Sequence, residues 1–271
     1  REIVKLLLER SVQRHKCATV RETAMCIEAG ARDIVLAYQL VGPMVEQLVH
    51  LAAQHRNVEL STLVDCAEAA EWLACAAKAA GVTVGVMVDL DTGLHRTGLP
   101  VGEEAMKLYR HVAQLPGLRP AGLHVYDAQN NRNPEFADRA AAVERTLAPV
   151  MEMAETLRRE GLDVPELLCG GTGTFPVYAR YGGPITCSPG TAVFWDAGYA
   201  NSFPDLDARL AQAALMLGRV VSRPTPQHVT LDLGTKGIAS DPPIGRRGVI
   251  LGLEDAVTNV HNEEHWVVTS E

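Results

Sequence analysis

The sequence predicts an α/β fold: a (β/α)8 TIM-type barrel over residues 1–206, lacking its first strand in this chain, followed by part of a mainly β domain over residues 207–271. Three observations carry this expectation. Short apolar strands alternate with helical segments as far as about residue 190. The strands are near-continuous Val/Ile/Leu runs, the pattern of parallel strands covered on both faces. After about Asp207 the helices stop, and short strand-like runs are joined by Pro/Gly turns.

In chain order, REIVKLLLER places Ile3, Val4, Leu7 and Leu8 at helical spacing. Cys17 to Val20 reads as a short strand, and Arg21 to Ala29 as a helix closed by Gly30. Asp33 to Tyr38 is the next strand, and Gly42-Pro43 opens a helix over Met44 to His55. Strand and helix then alternate: Val58 to Val64, Cys66 to Ala80, Val82 to Leu90, Glu103 to Gln114, Gly122 to Tyr126 and Pro134 to Glu160. PELLCG and PITCSPGTAVFW supply two more strands, making seven, and the eighth is expected to precede Arg1. In the β region, strands are expected at Leu215 to Ser222, His228 to Asp232, Val249 to Leu251 and His265 to Thr269.

Composition limits the functional classes. With 47% hydrophobic and 21% charged residues in 271, the chain has material for a large core. A formal net charge of −8 and no Lys/Arg cluster longer than a pair argue against nucleic acid as a partner. No apolar run approaches the ~20 residues of a membrane span. The six cysteines show no CxxC spacing and lie in apolar or helical runs, which fits reduced thiols and a cytoplasmic location.

Chemistry is expected in the loops after the barrel strands. Gly170-Gly171-Thr172-Gly173-Thr174 and Ser188-Pro189-Gly190-Thr191 follow consecutive strands late in the series. A lone Gly/Thr turn is either structural or an anion site, but loops after the last two barrel strands are the usual phosphate grip. In DTGLHRTG, Arg96 sits between glycine turns and reads equally as an anion contact or a surface arginine. In GLHVYD, the strand period of two puts His124 and Tyr126 on one side, for a ring stacked on a planar ligand or for simple packing. Lys236 in LDLGTKG and Glu263-Glu264-His265 admit a solvated turn as readily as a weak metal motif.

Taken in order, DTGLHRTG, GLHVYD, GGTGT, PGTAVFWD, LDLGTKGIASD and NEEHW resemble the D-threonine aldolase and D-serine dehydratase family, whose fold is the alanine-racemase type. HKCATVRETAMCIEAGARDIVLAYQLVG is similar to that family's region after its first strand, so the resemblance spans nearly the whole chain. It implies a pyridoxal 5'-phosphate site: Arg96 near the phenolic oxygen of the cofactor, His124 and Tyr126 at its ring, and Gly171, Thr172, Gly173, Thr174, Gly190 and Thr191 at its phosphate. It also implies a divalent metal (Mn, Zn or Mg), a homodimer and a D-amino acid substrate. Lys236 and Glu263 to His265 match family motifs without an assigned role.

Two departures stand beside these matches. The family's Schiff-base lysine lies in an H-x-K-T-H-K motif absent from this sequence, and neither Lys5, inside a helix, nor Lys16, opening the following strand, is expected to replace it. The metal ligands are expected beyond NEEH, so the chain is read as trimmed at both ends, with no metal residue of its own. The expected activity is that of a lyase cleaving D-threonine to glycine and an aldehyde. The alternatives are D-serine or 3-hydroxyaspartate dehydration, racemisation, and non-catalytic binding of pyridoxal phosphate or of another phosphorylated metabolite.

Overall fold

The computed structural model describes residues 1–269, in two compact units, Arg1–Pro189 and Gly190 onward. In the first, seven strands are all parallel to their neighbours: β1 (Arg14–Cys17), β2 (Asp33–Gln39), β3 (Glu59–Val64), β4 (Val84–Asp91), β6 (Leu118–Tyr126), β7 (Leu167–Cys169) and β8 (Ile185–Cys187). The two-residue β5 (Leu99–Pro100) lies beside β4. The sheet order β1-β2-β3-β4-β6-β7-β8 runs in sequence, and the sheet curls until its edges approach. Arg14 on β1 bridges that seam, donating to Thr186 Oγ1 on β8 at 3.2 Å and pairing with Glu166 just before β7 at 2.7 Å.

Helices form where the sequence marks their ends. In α1 (Glu2–Glu9) Val4 is buried, while α2 (Val20–Ala29) starts at Thr19, whose hydroxyl accepts from the Glu22 amide. The Glu22 carboxylate in turn takes the Ala18 amide at 2.7 Å, a variant of the capping box. The helices α3 (Pro43–Gln54), α4 (Ala67–Ala80), α5 (Glu103–Gln114) and α6 (Phe136–Arg159) pack Leu48, Leu73, Tyr109, Leu147 and their neighbours against the outer face of the sheet. A separate inner layer is formed by Val35, Leu63, Met87, Ala121 and Leu168, one residue from each of five strands.

One irregularity sets the site. Val86 pairs with Pro120 but Met87 pairs with Gly122, so Ala121 is an extra residue on β6, a bulge. A one-residue shift exchanges the two faces of a strand. Ala121 still joins the inner layer, yet three residues further His124 falls opposite Asp89, and Tyr126 opposite Asp91. Gly122 is required at the bulge: its φ is +125°, and a Cβ there would stand 2.0 Å from the Glu166 carbonyl oxygen.

Two expectations near the amino end are corrected. The strand anticipated at Cys17 to Val20 is Arg14–Cys17, because Thr19 already caps α2. Lys16 therefore does not open a strand; it is the third residue of β1.

The second unit begins with short helices, α8 (Ala197–Ser202) and α9 (Pro204–Asp207), around buried Trp195, Phe203 and Leu206. The sequence placed the change of domain after residue 206, whereas compactness divides the chain after Pro189. A four-stranded antiparallel sheet follows in the order β11 (Val257–His261), β12 (Trp266–Thr269), β10 (His228–Leu231), β9 (Val220–Ser222). Leu215 to Gly218 forms no strand, nor does Val249 to Leu251, and β11 appears where none was expected. In β11, Val257, Asn259 and Val260 are exposed and only His261 is buried, so it carries no regular apolar alternation to read. Among the described residues no helix is long and apolar enough to cross a membrane.

Candidate active site at the barrel mouth

A polar cluster occupies the carboxyl ends of β1, β4 and β6, within the first unit. His124 is buried at 2% exposure, its Nδ1 2.6 Å from Asp89 Oδ1. Burial alone would raise the Asp89 carboxyl, but hydrogen bonds from His124 and Thr97, with Arg96 nearby, hold it below its ordinary value. It is thus a carboxylate, and the short contact fixes the His124 proton on Nδ1. Burial, reinforced by Lys16 and Arg96, holds the imidazole below its ordinary pKa against the pull of Asp89, leaving a lone pair on Nε2.

That lone pair faces Lys16. Its Nζ is 3.1 Å from His124 Nε2 and donates to Ser188 Oγ at 3.0 Å, while Ser188 donates onward to the Gly170 carbonyl at 3.0 Å. Among the described residues no carboxylate lies within ion-pairing distance of Nζ. Burial, then the Arg96 charge, lower the amine from 10.5 to about 8, outweighing Asp89. Nζ also stands 5.4 Å from the centroid of the Tyr126 ring.

Arg96 lies over the same ring with its guanidinium carbon 4.4 Å from the centroid, so the two expected residues do meet. The His124 and Tyr126 rings are nearly parallel, their planes 3° apart, with centroids at 6.4 Å. The loop carrying Arg96 is pinned by Asp91, which accepts the Gly93 and His95 amides at 2.9 Å each.

The turn Gly170 to Thr174 is buried throughout and abuts this cluster. Gly170 has φ +71°, and a Cβ on it would meet the Tyr178 ring at 2.8 Å; one on Gly171 would meet Tyr126 Cε2 at 3.3 Å. Beneath the turn lies Asp127, fully buried, accepting from Thr174 Oγ1 at 2.8 Å, Tyr178 OH at 3.0 Å and Asn130 Nδ2 at 3.1 Å. Burial raises its carboxyl above the ordinary value in spite of these bonds. Thr174 also accepts the Gly171 amide at 3.2 Å, so Thr174 braces the turn from inside. Thr172, at 3% exposure, is buried with it.

Gly190 and Thr191 open the second unit, Thr191 starting a single 3-10 turn to Val193. Lys236 pairs with Glu264 at 2.5 Å on the exposed Asn262 to His265 turn, where Glu263 offers its carbonyl to the Lys236 amide. Among the described residues no group of three His, Cys, Asp or Glu is placed to hold a metal. A surface groove between α6 and α7 (Phe175–Tyr178), lined by Phe136, Ala140 and Tyr181, holds none of the expected site residues.

Sequence reasoning overlooked Lys16, Asp89, Asp127 and Ser188 as members of the cluster. Asp89 was accessible: Met87, Asp89 and Asp91 share one face of β4, alternating with Val86, Val88 and Leu90 on the other.

A curled parallel sheet with its polar residues at the strands' carboxyl ends defines a barrel-type α/β protein. The alanine racemase N-terminal domain family matches residues 1–196, and a serine dehydratase domain matches residues 213–271. The chain belongs to the alanine racemase N-terminal domain family. It is 28% identical to a D-threonine aldolase of an Arthrobacter species over 257 residues, 94% of this chain and 66% of that protein. It is 26% identical to a 3-hydroxy-D-aspartate aldolase of Paracoccus denitrificans over 93% of this chain and 65% of that one. The chain thus spans about two thirds of these curated relatives. The crystal structure of D-threonine aldolase from Filomicrobium marinum superposes with a TM-score of 0.84 at 27% identity, covering 94% of this chain and 68% of that one. An alanine racemase of Clostridium difficile, at 15% identity and a TM-score of 0.71, shares the fold.

Proposed function

We propose that this chain carries the pyridoxal-phosphate barrel of a lyase acting on D-3-hydroxy amino acids, with cleavage of D-threonine to glycine and an aldehyde as its reaction. The observation that carries the reading is the cluster of Lys16, His124, Tyr126 and Arg96 beside the buried Gly170 to Thr174 turn. The residues present fit this cofactor. Tyr126 offers a ring edge, Arg96 an exposed cation over that ring, the turn close-approach glycines, and Lys16 an amine without a carboxylate partner among the described residues. Relatives named as D-threonine aldolase and 3-hydroxy-D-aspartate aldolase support the substrate class.

When bound, the cofactor supplies an electron sink for bond breaking at the amino acid Cα. Arg96 cannot lose its proton, so it would keep the cofactor's phenolic oxygen anionic. Tyr126 would flank the ring, and Gly171, Thr172 and Gly173 would present the turn to the phosphate, with Thr174 anchored on Asp127. His124, held in one tautomer by Asp89, presents Nε2 as a proton acceptor. Gly190 and Thr191 are assigned to the phosphate on resemblance alone. Among the described residues no three His, Cys, Asp or Glu side chains fit a divalent metal.

The test offers D-threonine, L-threonine, D-serine and D-threo-3-hydroxyaspartate to the chain with pyridoxal phosphate, with and without Mn²⁺. Glycine and acetaldehyde from D-threonine alone are expected. A keto acid and ammonia would select the dehydratase reading, which the serine dehydratase match over residues 213–271 favours. Inverted Cα configuration would select a racemase, and bound cofactor without turnover a carrier. Failure to retain pyridoxal phosphate would remove the reading.

A further inference from the structure

We infer that Cys17 and Cys26 form a redox-sensitive dithiol, a modification site that a peroxide closes to a disulfide between β1 and α2. The chain has six cysteines, and they differ in what their sulfurs meet. Cys75 is exposed, Cys187 Sγ faces the Phe175 carbonyl oxygen at 3.6 Å, and Cys66 Sγ lies 4.0 Å from Gln39 Oε1. At Cys17 and Cys26 sulfur meets sulfur: Cys17 Sγ donates to Cys26 Sγ at 3.5 Å. The two residues are 3% and 4% exposed, Cys17 ending β1 and Cys26 lying on the buried side of α2 with Thr23 and Ile27.

A disulfide holds its sulfurs about 2 Å apart, so closure asks for an approach of about 1.5 Å. Only Ala18 and Thr19 separate the strand from the helix, and the bond would tie the strand end to the second turn of α2 across that short link. The contact also sets which sulfur attacks. The shared proton stays on Cys17, and the bond it makes holds Cys26 below the ordinary thiol value against the opposing effect of burial. The same bond, with burial, pushes Cys17 up. The Cys26 thiolate attacks one peroxide oxygen and the O–O bond breaks; Cys26 becomes a sulfenic acid, and the second oxygen leaves as hydroxide and is protonated to water. The Cys17 sulfur then attacks the Cys26 sulfur, the S–O bond breaks, and the hydroxyl leaves with the Cys17 proton as a second water. The two thiols supply the two electrons that reduce the peroxide. Lys16 directly precedes Cys17, so the bond would form at the strand end that carries a residue of the barrel mouth.

The reduced chain, freed of reductant, is titrated with hydrogen peroxide, quenched by alkylation in denaturant, digested with trypsin without reduction and mapped by mass. Cleavage after Lys16, Arg21 and Arg32 places the two cysteines on separate peptides, residues 17–21 and 22–32. The expected product is these two peptides joined with the loss of two hydrogens, reversed by dithiothreitol, at doses that leave Cys169 a free thiol. In Cys17→Ser a sulfenic acid should accumulate on Cys26 and be trapped by dimedone, whereas in Cys26→Ser the Cys17 thiol should stay unmodified at the same dose. Both peptides remaining alkylated while Cys75 is oxidised would overturn the inference. So would a bond from either cysteine to a third, oxidation of both sulfurs without a bond between them, or linkage that forms only as the helix signal is lost. Mapping the wild-type chain makes the result independent of whether either variant folds, and the readout does not depend on cofactor binding.

Discussion

Lys16→Met should change how stability depends on pH, by an amount the site itself sets. The folded-state pKa is about 8 against 10.5 for a free lysine, a difference of 2.5 units. At about 1.36 kcal/mol per unit this corresponds to about 3 kcal/mol. The sign follows from proton counting. Between pH 8 and 10.5 the unfolded chain holds a proton on Lys16 that the folded chain has lost, so wild-type stability rises with pH in that window. Below pH 8 the buried charge is a full burden, and above 10.5 it is none. Methionine removes the charge and has nothing to titrate. Its loss of hydrogen bonds to His124 and Ser188 costs about 1–3 kcal/mol at every pH. The stability of the variant relative to wild type should therefore fall by about 2–3 kcal/mol from pH 7.5 to 10.5, allowing for the half-buried position of the side chain. Urea unfolding followed by the helix signal at several pH values measures this directly. A difference that stays flat across the window would mean that Lys16 does not sit where the structure puts it.

Three further outcomes are expected. Asp127→Ala strands the Thr174 and Tyr178 hydroxyls in a buried site, and should lower the stability of the first unit by about 2–5 kcal/mol and weaken pyridoxal-phosphate retention; an unchanged melting temperature would discount the brace. Gly171→Val puts a branched side chain against Tyr126, where even a Cβ reaches 3.3 Å, and should cut cofactor affinity at least tenfold by equilibrium dialysis with stability reduced far less. Arg96→Lys keeps the charge and loses the stacked plane, so turnover should fall by the equivalent of about 1–3 kcal/mol with a shifted cofactor absorption band, and wild-type rate and spectrum would leave Arg96 without a role at the cofactor.

The fold was legible because parallel strands covered on both faces leave long apolar runs, and because Gly30 and Gly81 close their helices. The site was legible where one face of a strand could be read by alternation, as for His124 and Tyr126. It was not legible across the bulge, since nothing in the letters around Ala121 says that two residues there share one partner. Lys16 was misplaced for a related reason. Arg14, His15 and Lys16 are a polar run that no hydropathy pattern marks as a strand, and what makes them one is long-range: the Arg14 contacts with Asp33 on β2 and, across the sheet seam, with Thr186 and Glu166.

The two buried aspartates also divide their work in a way that sequence could not assign. Asp89 faces a histidine and an arginine, so its charge is compensated and serves to fix the His124 tautomer. Asp127 faces only neutral donors, Thr174, Tyr178 and Asn130, and burial raises its carboxyl accordingly. Hydrogen bonds from neutral groups orient the Gly/Thr turn but do not offset a charge as an ion pair would. At the proposed anion site Asp127 would therefore act by holding the turn's shape in advance, and any charge it keeps would oppose the anion. The positive potential for a phosphate must then come from elsewhere in the mouth, and in the first unit Arg96 and the protonated fraction of Lys16 are the cations that face it. That dependence ties the proposed anion site to pH: loss of the Lys16 proton, whose pKa burial lowers to about 8, would remove one of those charges.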